Sequence, residues 1–284
     1  FMKKYFIMLC MAALSASVFA QTVKSLSSPD GNIRVDVSID KGITYDVFCG
    51  NEQVLSDCRL SMDIEGNVLG SLPKLQSVKR QKVNDVKRPF LKLKFAEVPN
   101  SYNEMTLVMK GNYSVVFRAY NDGMAYRFVT SLKGEVEVNH EDITVFFPED
   151  AQLVLQQSDR YRTSYEERYS FVKSSEWLSF QKMAHYPVLA ITSGGTKILM
   201  SESDLCDYPA PFFRGNEANG LVSVFHGVPA KQTPVHDKAV DIDLCEKYIA
   251  RTSGTRSFPW RYFVITKEDA GLLETTMTCR LAQD

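Results

Sequence analysis

Apolar residues in this chain recur at every second position, and no stretch sustains the spacing of a long helix. Ile33, Val35, Val37 and Ile39 alternate with Arg34, Asp36 and Ser38; Leu91, Leu93 and Phe95 alternate with Lys92 and Lys94; Val136 and Val138 alternate with Glu135 and Glu137. Successive side chains of a strand point to opposite faces, so this rhythm describes half-buried antiparallel strands. Turn signals separate the runs: Pro29-Asp30-Gly31-Asn32, Asp40-Lys41-Gly42, Cys49-Gly50-Asn51, Asn121-Asp122-Gly123 and Ser193-Gly194-Gly195. The pattern predicts an all-β chain, a large antiparallel β-sandwich whose strands pair with distant ones, and it excludes a doubly wound α/β fold. Only Glu176 to Met183 and Lys267 to Leu273 suit short helical turns.

The first twenty residues read as an export signal. Lys3 and Lys4 supply a basic start, Phe6 to Ala16 an apolar run too short for a bilayer core of about 30 Å, and Val18-Phe19-Ala20 a small-residue cleavage site. A signal peptide over 2–20 implies a mature domain over 21–284, exported to the periplasm or beyond, with no membrane attachment after cleavage. Cys10 sits inside the apolar run behind Leu9, which does not suit a lipoprotein signal.

Charge narrows the partners. The formal net charge is −1, and the basic residues of Lys79-Arg80-Gln81-Lys82 and Lys87-Arg88 read as solvated turns, so nucleic acid is not an expected partner. Past the signal remain Cys49, Cys58, Cys206, Cys245 and Cys279, an odd number without the paired spacing of a zinc site. Cys49 and Cys58 could bridge a hairpin, but buried free thiols are the reading favoured here. His185, His226 and His236 are scattered without metal or triad spacing and read as structural.

Four segments carry a more specific signal. Ser28-Pro29-Asp30-Gly31-Asn32, the hairpin from Phe117 to Phe128, the stretch from Glu202 to Pro209 with Asp207-Tyr208-Pro209, and Pro259-Trp260-Arg261 together resemble, in order and spacing, the N-terminal domain of glycoside hydrolase family 97. That resemblance implies a β-super-sandwich of the galactose-mutarotase type, followed in the parent enzyme by a (β/α)8 barrel and a small C-terminal β-domain. It also implies a periplasmic, calcium-dependent glycosidase acting on α-glucosides or α-galactosides. Cleavage of a glycosidic bond uses two carboxylates, about 5–5.5 Å apart for retention and about 6.5–9.5 Å for inversion. The family contains both outcomes and carries these groups on the barrel. No catalytic residue is therefore expected in this chain, which by itself should be inactive. Its partners would be its own catalytic barrel and, through the parent enzyme, an oligosaccharide.

Within the domain, Thr163-Ser164-Tyr165-Glu166-Glu167-Arg168-Tyr169 resembles the family loop whose glutamate reaches the barrel as a ligand for Ca2+. Glu166 matches best, with Glu167 next; read as residues alone, the two form a solvated acidic pair flanked by Arg162 and Arg168. Trp260 is either a stacking surface for a sugar or a core anchor. Arg261 suits a carboxylate at the barrel interface or a surface ion pair. Tyr208, Phe212 and Phe213, around Pro209 and Pro211, read as an exposed aromatic loop at the substrate entrance or a domain interface. A free-standing carbohydrate-binding sandwich without hydrolytic activity is the alternative function, and a purely structural β-domain a third.

Overall fold

The computed structural model describes residues 22–91 and 94–283. The signal segment over 2–20, with Cys10, and residues Lys92 and Leu93 lie outside the described residues.

Two antiparallel meanders open the fold. The first runs β1 (Thr22–Ser27), β2 (Ile33–Ile39), β3 (Ile43–Cys49) and β4 (Glu52–Ile64), with the short β5 (Asn67–Leu69) beside β4. The second runs β6 (Leu75–Lys87), β7 (Val98–Met109), β8 (Tyr113–Tyr120) and β9 (Gly123–Phe146). At 24 residues β9 serves both: its first part pairs with β8 and its later part with β4.

The second half of the chain adds β10 (Gln152–Ser158), β11 (Tyr169–Lys173), β12 (Met183–His185), β13 (Val188–Ile191), β14 (Lys197–Ser203), β15 (Phe212–Asn216) and β16 (Gly220–Val224). A separate hairpin, β17 (Pro229–His236) with β18 (Ala239–Cys245), precedes β19 (Ala250–Ser257) and β20 (Trp260–Thr266). Two short helices, α1 (Asp269–Glu274) and α2 (Met277–Leu281), close the described chain. Pairings β9–β20, β20–β14, β14–β13, β13–β10, β10–β12, β12–β15, β15–β16 and β16–β9 return to their starting strand, a closed ring that removes most free edges.

Alternation explains the burial. On β2, Ile33, Val35, Val37 and Ile39 are buried, as are Val136 and Val138 on β9. Tyr45 from β3 meets Phe117, Tyr126 and Phe263 with ring centroids 6.1, 5.5 and 6.3 Å away, so the first meander lies face to face against β8, β9 and β20. The opposite face of the same strands holds a second cluster, including Tyr120, Trp260 and Tyr262, covered by Met277 and Leu281 of α2.

Turn chemistry at the resemblance motifs is local and then tertiary. The Asp30 side chain accepts from the backbone N–H of Asn32 at 3.0 Å, and Ser28 Oγ accepts from Ile33 N–H at 3.0 Å. Asn121 then accepts the Asp30 N–H at 3.1 Å, tying the opening turn to the β8–β9 hairpin. At Gly123 any Cβ would stand 2.0 Å from the Phe263 carbonyl oxygen, so the hairpin needs glycine where β20 passes.

Two expectations are corrected. Leu91 and Phe95 belong to no strand and are exposed, because among the described residues no partner strand covers them. Glu176 to Met183 is a pair of turns leading into β12 rather than a helix, since Trp177 is pinned in the core. The short helical turn expected over Lys267 to Leu273 is present as α1, from Asp269 to Glu274, and α2 follows it. Cys49 and Cys58 are buried free thiols, and burial, the largest cause, pushes Cys58 up to about 12.

Candidate functional site

Two arrangements of chemistry-bearing side chains stand out, one sealed and one open. The sealed one centres on Arg261 of β20, which is 0% exposed. Its Nε and Nη2 donate to the two carboxylate oxygens of Glu141 on β9, at 3.0 and 2.6 Å, and its Nη1 donates to Glu202 of β14. Cross-strand register makes this possible, because Glu202 sits opposite Arg261 in the β14–β20 ladder. One guanidinium thus faces two carboxylates, Glu141 buried and Glu202 largely so. Burial is the main cause that raises Glu202 to about 7; Arg261 opposes the rise and Glu141 adds to it. Burial first, then the Glu141 charge, also raises the hydroxyls of Tyr126 and Tyr208 well above their ordinary values.

Arg261 therefore makes neither a surface ion pair nor, within this chain, an exposed contact, because its position in a central ladder fills a buried slot. Although two carboxylates of the kind glycosidases use meet here, both are engaged by one arginine and Glu141 is 2% exposed, so no substrate reaches between them. Neighbouring Trp260 is 1% exposed and lies under the guanidinium groups of Arg118 and Arg127, at 4.5 and 4.2 Å from the ring centroid. It is a core anchor, and a sugar cannot stack on it.

The expectation of an exposed aromatic loop is likewise corrected. Tyr208, Phe212 and Phe213 are all buried. Phe212 and Phe213 belong to β15, whose pairing with β12 and β16 draws them inward, while Tyr208 packs edge-on against Phe258 with centroids 5.4 Å apart. Only the rims of Tyr208 and Phe212 reach a groove, which they share with Tyr161, Tyr165 and His226.

The open arrangement is the loop between β10 and β11, residues 159–168. Aromatic contacts brace it: Tyr161 stands edge-on to Phe212 at 5.0 Å and to His226 at 4.9 Å, and Tyr165 stands against His185 at 4.6 Å. Tyr165 adopts φ +59, a turn conformation that side chains rarely take. Arg162 pairs with Asp241 of β18, and Gln156 donates to the Glu167 carbonyl. This bracing presents Glu166 and Glu167, both exposed, on a groove of about 990 Å³ that Asp159, Phe180, Lys182 and Arg214 also line.

Neither glutamate forms a metal centre by itself. Calcium takes about 6–8 oxygen ligands, and among the described residues no three His, Cys, Asp or Glu side chains gather around a common point. Sequence reasoning missed Glu141 and the bracing pair Tyr161 and Tyr165; Glu141 lies three residues after buried Val138 in β9, across a shift in the register with β4 that the sequence does not mark, so strict alternation would have placed it outward.

Comparison with known proteins bears on this geometry. A retaining alpha-galactosidase of Bacteroides thetaiotaomicron is 32% identical over 291 aligned positions, covering 98% of this chain and 44% of the relative. The chain thus spans less than half the length of that enzyme. Among solved structures, a glycoside hydrolase family 97 enzyme in complex with acarbose, from Pseudoalteromonas sp. strain K8, superposes with a TM-score of 0.74 at 19% identity, over 89% of this chain and 37% of the other. A beta-arabinopyranosidase superposes with a TM-score of 0.72 at 19% identity, over 89% of this chain and 42% of the other. At that identity the structural likeness speaks to fold. The family model described as glycosyl-hydrolase 97 N-terminal matches residues 26–283, and the chain belongs to that family as its N-terminal domain.

Proposed function

We propose that this chain is the β-super-sandwich domain of a longer, exported, calcium-dependent glycoside hydrolase acting on α-galactosides or α-glucosides. In this reading it packs on a catalytic barrel that carries the reacting carboxylates, and its β10–β11 loop lends Glu166 to a calcium ion held mainly by that barrel. The observation that carries the reading is the match over 26–283 to the N-terminal domain, joined to coverage of only 44% of the alpha-galactosidase relative. Export to the periplasm rests on the basic, apolar and small-residue segments of 2–20.

The braced loop gives the calcium role its physical basis. A hard cation favours carboxylate oxygen, and a carboxylate held at a fixed place costs less ordering on binding than one on a mobile loop. The chain alone should release no p-nitrophenol from α-galactoside or α-glucoside substrates, and titration calorimetry should find calcium bound no tighter than about 1 mM. In the longer enzyme, Glu166→Gln should weaken both calcium affinity and turnover. Loss with Glu167→Gln instead would move the ligand by one residue; loss with neither would remove the metal role from this domain. Oligosaccharide binding by the chain alone, without hydrolysis in the longer enzyme, would favour a carbohydrate-binding module.

A further inference from the structure

Glu141, Glu202 and Arg261 do not balance in charge. With every member ionised, two carboxylates share one guanidinium and the cluster is left net negative, and an uncompensated buried charge is far costlier than a matched pair. One proton on a carboxylate restores neutrality. Water can stabilise the charge only if a wall of the cluster opens. Strands β9, β14 and β20 are held to one another by paired ladders. A cover without such pairing is the segment 204–211 between β14 and β15, none of whose residues belongs to a strand.

One buried side chain ties that segment inward. Tyr208 is 8% exposed, its ring centroid lies 5.9 Å from the Arg261 guanidinium carbon, and its hydroxyl has no hydrogen-bond partner among the described residues. The remainder lies at the surface, with Leu205, Cys206 and Asp207 exposed. Asp204 and Asp207 adopt φ +63 and +52, left-handed conformations that strain non-glycine residues and persist only where neighbours enforce them. Arg256 of β19 is one such neighbour, donating to the Cys206 and Asp207 carbonyls at 2.8 and 3.4 Å. Gln283 donates to Asp204 at 2.9 Å, and Arg127 of β9 faces the same carboxylate at 3.6 Å. Tyr208, Pro209 and Ala210 also line the groove of Tyr161 and His226, so a movement of the segment reshapes that groove.

We propose that segment 204–211 is a proton-gated strap, closed over Glu141, Glu202 and Arg261 while that cluster holds a proton and lifted, with Tyr208 drawn out and water let in, once Glu202 ionises. Around Glu202 stand Arg261 of β20, Glu141 of β9 and Tyr186 of the turn after β12, with Tyr126 of β9, Tyr262 of β20 and Tyr208 of the strap next to these. Burial raises the hydroxyls of Tyr126, Tyr186 and Tyr208 well above their ordinary values, so they stay protonated near neutral pH. Against its own burial, Arg261 is raised chiefly by Glu141 and stays charged. Glu202, raised to about 7 mainly by burial, is the member placed to change charge there. A closed state that holds the proton more tightly than the open one keeps its advantage below about 4.5 and loses it as pH rises through about 7.

The test is hydroxyl-radical footprinting of this chain, read by mass spectrometry at single tyrosines. Exposed Tyr169 reports the radical dose, and Tyr45, buried in the core, reports any global unfolding. A carboxyl shifted from 4.5 to about 7 makes opening grow about thirtyfold between about pH 5.5 and about pH 8.5. Above the background from the 8% of Tyr208 already exposed, its oxidation relative to Tyr169 should rise at least about fivefold over that range, with Tyr45 flat. Glu202→Gln should abolish the rise. Glu141→Gln, which leaves one carboxylate for one guanidinium, should flatten it too and serves as the second variant. No rise in the wild-type chain would overturn the proposal, since Glu202 would then ionise in place. A rise that survives either substitution would also overturn it, assigning the gate to another group, and a joint rise of Tyr208 and Tyr45 would replace the strap by global unfolding.

Discussion

At the scale of single residues, Arg261 holds the most consequential position. Removing it leaves buried Glu141 and largely buried Glu202 without their shared counter-charge, and breaking a buried pair from one side costs about 3–5 kcal/mol. Arg261→Met should therefore lower the unfolding free energy by roughly that amount in urea titration at neutral pH, and a loss under about 1 kcal/mol would contradict the network's weight. Glu202 gives the pH dependence. Its carboxyl is raised from 4.5 to about 7, so the folded state holds the proton more tightly than the unfolded chain. That contribution is fully present below about 4.5 and is lost as pH rises through about 7. Glu202→Gln cannot ionise, so its stability relative to wild type should improve by roughly 2–3 kcal/mol between about pH 4.5 and about pH 8. A flat difference across that range would show that Arg261 already compensates the charge.

Elements show where neighbours override local pattern. The stretch from Glu176 to Met183 has helical spacing, yet the Glu176 and Trp177 N–H groups both return to the Lys173 carbonyl, at 3.0 and 3.1 Å, and the chain stays a turn. What holds it there is β15: a Cβ on Gly215 would lie 1.4 Å from the Trp177 carbonyl oxygen, so strand and turn touch backbone to backbone. Gly215→Ala must push them apart and should cost about 2–3 kcal/mol, the upper part of the usual range for overpacking, measured by thermal or urea unfolding. An unchanged midpoint would mean that the turn moves freely. Leu91 to Phe95 errs in the opposite sense. Its alternation is that of a strand, but a strand exists only with a partner, and among the described residues none pairs with Leu91 or Phe95.

For the whole molecule, the strands other than the exposed β17–β18 hairpin border one large hydrophobic cluster reaching from Leu26 to Ile265, with the smaller cluster on the far face of β8, β9 and β20. Since those three strands border both clusters, neither can melt alone. Far-UV circular dichroism and tryptophan fluorescence should give the same urea midpoint, because Trp177 reports the large cluster and Trp260 the small one. Separated midpoints would reveal two independent units. Period-two alternation and turn chemistry are properties of neighbouring residues, and so the all-β class, the strand at Ile33–Ile39, the turn at Asp30 and the acidic loop at Glu166 were legible in the amino-acid sequence alone. The inward turn of Arg261 onto Glu141 and Glu202 and the burial of Tyr208, Phe212 and Phe213 were not. Each depends on which distant strand lies alongside, and a strand's own residues specify that it pairs, whereas its partner is chosen by the closure of the whole ring.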